Sequence, residues 1–436
     1  MPILINGATA VDPGSSLNGL KVDILIDNGK IVKISPHGSE GETVKNTTVK
    51  KSEPDRVIDA SGLLAAPGLI DMHVHLREPG FEYKETIETG AKAAVCGGFT
   101  AVCAMPNTDP VNDHRQVTEF ILSQAAKAKT ARVFPVGAIT RGSEGKALCE
   151  YGDLKAGGVI ALSDDGNPVK DSQMMRRAME YAKGFDLPII SHCEEVSLAA
   201  GGVMNEGETS TRMGLAGIPN AAESIMVMRD IALCELTGAR LHIAHVSTKE
   251  SVWAIRDAKK RGVPVTAETA PHYFTLTDKA VKDYNTHAKM NPPLRTEADR
   301  QAIIEGLSDG TIDAIATDHA PHSIIEKDVE FDRAANGIIG LETSLSLSLE
   351  LVRKDILTIS ELIRKMSINP AKILGFKRAL EPGGIADVTL FDTKARFTVN
   401  AEEFNSKSRN TPFDGWNLQG KAVMTIVGGS VVFEQL

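Results

Sequence analysis

Eight short apolar runs, recurring between residues 69 and 322 with amphipathic stretches among them, constrain this chain more than any other feature. They read LIDMHVH, FTAVCAMPN, ARVFPVGAIT, GVIALSDD, LPIISHCEE, RLHIAHVST, VPVTAETAPHYF and IDAIATDHAPH. Each is largely apolar along its length rather than alternating, as strands covered on both faces must be. Segments such as YKETIETGAKAAVCG and DSQMMRRAMEYAKGF separate most of the runs and carry helical periodicity. Eight β-α units predict an α/β chain folded as a (β/α)8 TIM-like barrel, whose chemistry belongs at the C-terminal ends of its strands.

The 436 residues exceed what one barrel needs, and both ends read as short strands with Asn-Gly turn signals. Neither end has enough strands for an independent sheet. The expected organisation is therefore a small β domain built from residues 1–66 and 383–436, with a catalytic barrel over 67–382. The polar stretch at 39–55 is expected to be an exposed loop. A hydrophobic content of 42% with 24% charged residues fits a soluble globular protein, and a net charge of −9 gives no basic face for nucleic acid. No apolar run approaches the roughly 20 residues of a membrane span, and no secretory leader pattern opens the chain, so the expected location is cytoplasmic. Five cysteines (Cys96, Cys103, Cys149, Cys193, Cys234) form an odd set without C-x-x-C and read as buried small hydrophobes.

Polar residues stand where the barrel's chemistry belongs. His73 and His75 end the first run, Asn107 the second, Asp165 the fourth, His192 the fifth, His245 the sixth and Asp318 the eighth. Residues i and i+2 of a strand point to one face, so His73 and His75 aim together into the barrel mouth and make half a metal site. Imidazole and carboxylate suit zinc or a similar divalent ion, and a catalytic site leaves positions open for water or substrate. Asp164 competes with Asp165 for the ligand role. Alternation puts His245 in step with Ile243, and His242, of opposite parity, reads as a core histidine. His37, His114 and His287 are expected at the surface; His272 and His319 stay undecided, with a structural role favoured.

The motifs APGLIDMHVHLREPG, AMPNTDP, SDDG, SHCEE, AHVST, MNPPLR, ATDHAPH, GLET and SKSRNTPF together resemble those of the bacterial type I dihydroorotases, within the amidohydrolase superfamily. The resemblance runs over nearly the whole chain. It implies the barrel with a β domain from both ends, and one or two zinc ions per subunit held by His73, His75, Asp165, His192, His245 and Asp318. Many relatives bridge two metals with a carbamylated lysine; the type I group uses an aspartate, here Asp165. The resemblance further implies reversible cyclisation of N-carbamoyl-L-aspartate to L-dihydroorotate in pyrimidine biosynthesis, with Asp318 as catalytic proton shuttle. Substrate contacts would come from His75, Arg77, Asn107, Asn291, His322 and the loop pair Asn336-Gly337. Arg77 shares the parity of His73 and His75 and suits bidentate capture of a carboxylate. The family usually carries Phe-Gly where this chain has Asn336-Gly337, which weakens binding only if the ring makes the contact.

Two alternatives stand beside this reading. A dihydropyrimidinase, hydantoinase or allantoinase would use the bridging lysine, and none follows the fourth run until Lys170. A non-catalytic scaffold for aspartate transcarbamoylase would have lost metal ligands, whereas every ligand position is kept here. A homodimer and a complex between the active enzyme and aspartate transcarbamoylase both remain open from sequence.

Overall fold

In the computed structural model, residues 2–39 and 54–435 are described. The polar stretch at 39–55 therefore falls almost wholly outside the described residues. The eight apolar runs form eight parallel strands: Leu69–Val74, Phe99–Ala104, Arg132–Gly137, Ala161–Leu162, Ile189–Ser191, Leu241–Ile243, Val265–Thr269 and Ala314–Ile315. They stand in consecutive order in one sheet. A bridge between Val74 and His319 joins the first strand to the last, and the His75 N–H donates to the His319 carbonyl at 2.9 Å. The sheet thus closes into the expected (β/α)8 barrel.

A helix follows each strand, and local chemistry decides where several of them start. Thr86, Asp171, Thr248 and Thr296 each accept a backbone N–H from the first turn of the next helix, satisfying a donor that has no intrahelical partner. Leu69, Phe99, Val102, Leu162, Ile189 and Ile243 pack outward with Ile87, Val117, Ile231, Val252 and Ile255 of the helices. A second cluster gathers Ile70, Ala101, Cys103, Val136, Ala161, Ile190, Ala314 and Ala316. Its many alanines suit the narrow interior of an eight-stranded barrel, which is a packed core and not a pore.

The two chain ends share a second eight-stranded sheet. Leu64–Pro67 runs antiparallel to Val388–Thr398, with Ala66 opposite Thr389, so the segment entering the barrel is paired with the one leaving it. Asn28 and Gly29 take φ of 48° and 76°, the left-handed pair that a tight hairpin between Lys21–Asp27 and Lys30–Pro36 requires. Between Val388–Thr398 and Asn417–Val427 the chain crosses to the barrel rim, where the Lys407 N–H and Ser406 hydroxyl bond Glu85. All five cysteines are free, and burial raises the thiol pKa of each. Among the described residues no helix is long and apolar enough to cross a membrane.

Candidate active site

His73, His75, Asp165, His192, His245 and Asp318 are all buried and meet at the C-terminal mouth of the barrel. Backbone geometry delivers two of them. His245 has φ of 33° and Asp318 φ of 49°, left-handed values uncommon outside glycine and concentrated at functional sites. At His245 this corrects the alternation argument. Ile243 packs among residues shared with the helices, so a regular strand would have turned His245 outward as well; the left-handed turn after Ile243 brings the ring to the mouth.

Asp165 is the centre of the cluster. Its Oδ1 lies 3.3 Å from His73 Nε2 and 3.5 Å from both His192 Nδ1 and His245 Nε2; its Oδ2 lies 3.5 Å from His75 Nε2. Asp318 Oδ1 is 3.1 Å from His75 Nε2 and 3.6 Å from His73 Nε2. Ligands about 2.0–2.1 Å from one tetrahedral ion stand roughly 3.3 Å apart, which most of these separations approach. Two of the triads that fit a cation, His73/His75/Asp165 and Asp165/His192/His245, share Asp165; a third is His73/His245/Asp318. Among the described residues, His73 Nε2 and Asp165 Oδ1 are buried without a hydrogen-bond partner, while His192 Nδ1 and His245 Nε2 face each other at 2.8 Å. Buried groups of this kind require partners, and lone pairs converging on a divalent cation supply them. The residues therefore fit one or two such ions.

Charge reinforces the cluster. Burial would raise the Asp165 carboxyl, but His73, His192 and His245 outweigh it and hold it well below the usual range. Burial would lower His192, but Asp165 and Glu194 raise it to about 10, and a cation bound beside Asp165 would take the place of that proton. Burial likewise opposes ionisation of Asp318, and His73 and His75 beside it keep its pKa below the ordinary value.

Around these groups stands a layer that sequence reading missed in part. Asn107 Oδ1 accepts from His75 Nδ1 at 2.9 Å, which orients the ring so that His75 Nε2 points at Asp318 Oδ1 and the cluster. Glu268, on the seventh strand, does the same for His73 Nδ1 at 2.9 Å, and its other oxygen is 3.2 Å from His242 Nε2. His242 also bonds Thr266, so it is a buried, partnered histidine as expected. Glu194 lies 3.8 Å from His192 Nε2 and accepts from Asn291 Nδ2 at 3.1 Å. The run HCEE contained the signal for Glu194; Glu268 stood in an apolar strand with no motif to mark it. Asp164 points elsewhere, accepting from the Ile139 and Thr140 N–H groups at 2.8 and 3.1 Å.

Arg77, at φ 63°, sits at the rim with Nε donating to the Pro321 carbonyl at 3.1 Å and Nη2 3.3 Å from His322 Nε2. Burial lowers it to about 10, so it keeps its charge at neutral pH. Burial and the cations Arg77 and Lys84 push His322 down to about 3, making it a neutral ring. Gly337 passes so close to this ring that a Cβ there would stand 2.7 Å from His322 Cδ2 and 2.5 Å from the Ala320 carbonyl oxygen. Asn336 beside it is exposed. His319 bonds Glu85 and the Gly340 N–H, a structural role, while His272 is buried with Nε2 unpartnered and burial lowers its pKa to about 4. His37 and His114 are exposed; His287 is half-buried and lines a cavity of about 370 Å³ with His322, Lys327 and Asn410.

Comparison with known proteins adds a family to this geometry. A family model described as Dihydro-orotase-like matches residues 62–251. The chain is 58% identical over 436 residues to a dihydroorotase of Desulforapulum autotrophicum and 55% identical to one of Syntrophus aciditrophicus, with the whole of both chains covered in each case. Among solved structures, an L-hydantoinase (dihydropyrimidinase) from Arthrobacter aurescens superposes with a TM-score of 0.87 at 25% identity, covering 99% of this chain and 96% of that one. A dihydropyrimidinase from Brevibacillus agri, at 23% identity and a TM-score of 0.81 over 100% and 95%, shares the fold.

Proposed function

The chain belongs to the dihydroorotase family, and from that membership and the site we infer an enzyme that interconverts N-carbamoyl-L-aspartate and L-dihydroorotate at a zinc centre. The observation that carries the metal part is the sharing of Asp165 between two triads of buried donors. His73, His75, Asp165, His192, His245 and Asp318 are the residues assigned to hold zinc, one or two ions per subunit. Bound zinc would supply Lewis acidity, polarising the amide carbonyl and lowering the pKa of water toward 7.

The chain's own residues do the rest. Asp318 stands beside His75 with one carboxylate oxygen, and its ionised form accepts the proton of the attacking water and returns it to the departing ring nitrogen. Arg77, Asn107, Asn291 and His322 are assigned to the substrate, Arg77 as the fork for its carboxylate. His322, neutral beside Arg77, offers a ring nitrogen without adding charge. In the structure Asn291 gives one amide N–H to Glu194, and the second N–H of the same group is the donor assigned to substrate. The exposure of Asn336 supports a contact made by backbone in that loop rather than by side chain. Free cysteines accord with a cytoplasmic setting.

Purified zinc-loaded protein assayed in parallel on dihydroorotate, dihydrouracil, hydantoin and allantoin tests the reading, with dihydroorotate expected to be turned over far best. Preference for a ring lacking the carboxylate would replace it with a hydantoinase-type activity. Arg77→Lys is expected to lose much of the preference, by at least about tenfold, because a point charge cannot reproduce the bidentate fork. An unchanged preference would place the carboxylate anchor elsewhere. The reaction also fixes a pH signature. Ring closure consumes one carboxylate and takes up one proton, so the equilibrium ratio of dihydroorotate to carbamoyl aspartate should fall about tenfold per pH unit near neutrality. A ratio flat with pH would mean another reaction.

A further inference from the structure

We propose that Lys327 is a positioning residue for substrate binding: its buried side chain ties the segment leading to Asn291 to the loop Asn336-Gly337 and so sets the width of the site between them. The proposal rests on the dihydroorotase reading above. Lys327 closes the short helix Ile324–Lys327 and is 1% exposed. Its Nζ donates to the carbonyls of Ala335 at 2.8 Å, Gly337 at 3.1 Å and Lys289 at 3.4 Å. Those three acceptors match the three donors of an ammonium. Ala335 and Gly337 flank Asn336, and Lys289 stands two residues before Asn291. The Gly337 N–H donates to the same Lys289 carbonyl at 2.9 Å, so both segments are drawn to one point.

A buried ammonium without a carboxylate on it is a poor way to stabilise a fold, because desolvation opposes the charge. Burial, with Lys289 nearby adding to it and Glu326 opposing, pushes the amine down to about 7. What the arrangement does provide is a fixed spacing. Asn410 strengthens it from the other side: its Nδ2 donates to the Gly337 and Ala320 carbonyls at 3.0 and 2.9 Å, and its Oδ1 accepts from the His322 N–H at 3.0 Å. Lys327 and Asn410 therefore hold the Gly337 carbonyl between them, and through it relate Asn291, the Asn336 loop and His322.

The test separates KM from kcat in Lys327→Met, with zinc content and the wild-type enzyme measured alongside. The expected result is a KM for dihydroorotate raised at least about tenfold, kcat within about threefold and metal unchanged, the pattern of lost uniform binding. A merely structural role would instead reduce the amount of active enzyme and leave KM as it was, and that result overturns the proposal. Should Lys327→Met not fold, Asn410→Asp replaces it: the carboxylate keeps the acceptor for His322 but loses both donors, and the same rise in KM is expected. Unchanged KM there also overturns the proposal. Wild-type protein inert on dihydroorotate would instead sink the dihydroorotase reading.

Discussion

Asp318→Asn is expected to keep at least one zinc ion per subunit, to bind dihydroorotate, and to lose turnover by at least about 10²-fold, the range of a removed proton-transfer group. The amide preserves shape and one oxygen at the position now 3.1 Å from His75 Nε2. It removes the basic oxygen that His73 and His75 keep ionised against the cost of burial. Zinc stoichiometry, dihydroorotate affinity and kcat, all taken on one preparation, separate the roles. Near-normal turnover would exclude Asp318 as the shuttle. Loss of all metal would reduce it to a ligand and send the search for the base elsewhere in the site. In the wild type the acidic limb of the pH–rate profile should belong to the coupled carboxylate and water system rather than to one group.

Much of this was legible in the sequence because barrel strands are covered on both faces. Continuous apolar runs such as FTAVCA mark them, and their polar ends mark the rim where His73, His75, Asp165 and Asp318 stand. Legibility failed where the information is not local. Alternation was the wrong reason for including His245, since a left-handed turn and not strand parity brings its ring to the mouth. Asp164 and Asp165 are adjacent acids, and the Ile139 and Thr140 amides with the Thr140 hydroxyl, all at a neighbouring strand end, decide which one turns away. Glu268 lies 195 residues from His73 in sequence and is hidden in an apolar strand. Lys327 stands in no motif, and although SKSRNTPF contains Asn410, the main-chain carbonyls that both residues hold come from distant segments that the motif does not name. The two-ended sheet was readable for a simpler reason: each end alone had too few strands to stand.

Those adjacent acids set up the second large effect. Asp165→Ala is expected to lower bound zinc and to reduce turnover by on the order of 10³-fold, as loss of several kcal/mol of Lewis-acid stabilisation implies. The reason is its place in the cluster. Oδ1 faces His73, His192 and His245 while Oδ2 faces His75, so one substitution takes an oxygen from two triads at once. Any other ligand belongs to fewer contacts with carboxylate oxygen. Folding should survive, because strand pairing and the alanine-rich lumen hold the barrel without help from this rim, unlike a zinc finger whose fold is its metal site. Circular dichroism should therefore stay native while metal analysis and turnover fall together. Asp164→Ala is the contrasting control: it frees the Ile139 and Thr140 amides and should cost stability more than zinc. If the Asp165 variant kept its zinc and its rate while the Asp164 variant lost both, the two acids would exchange roles, and the shared-carboxylate geometry would be the wrong basis for counting ions in this site.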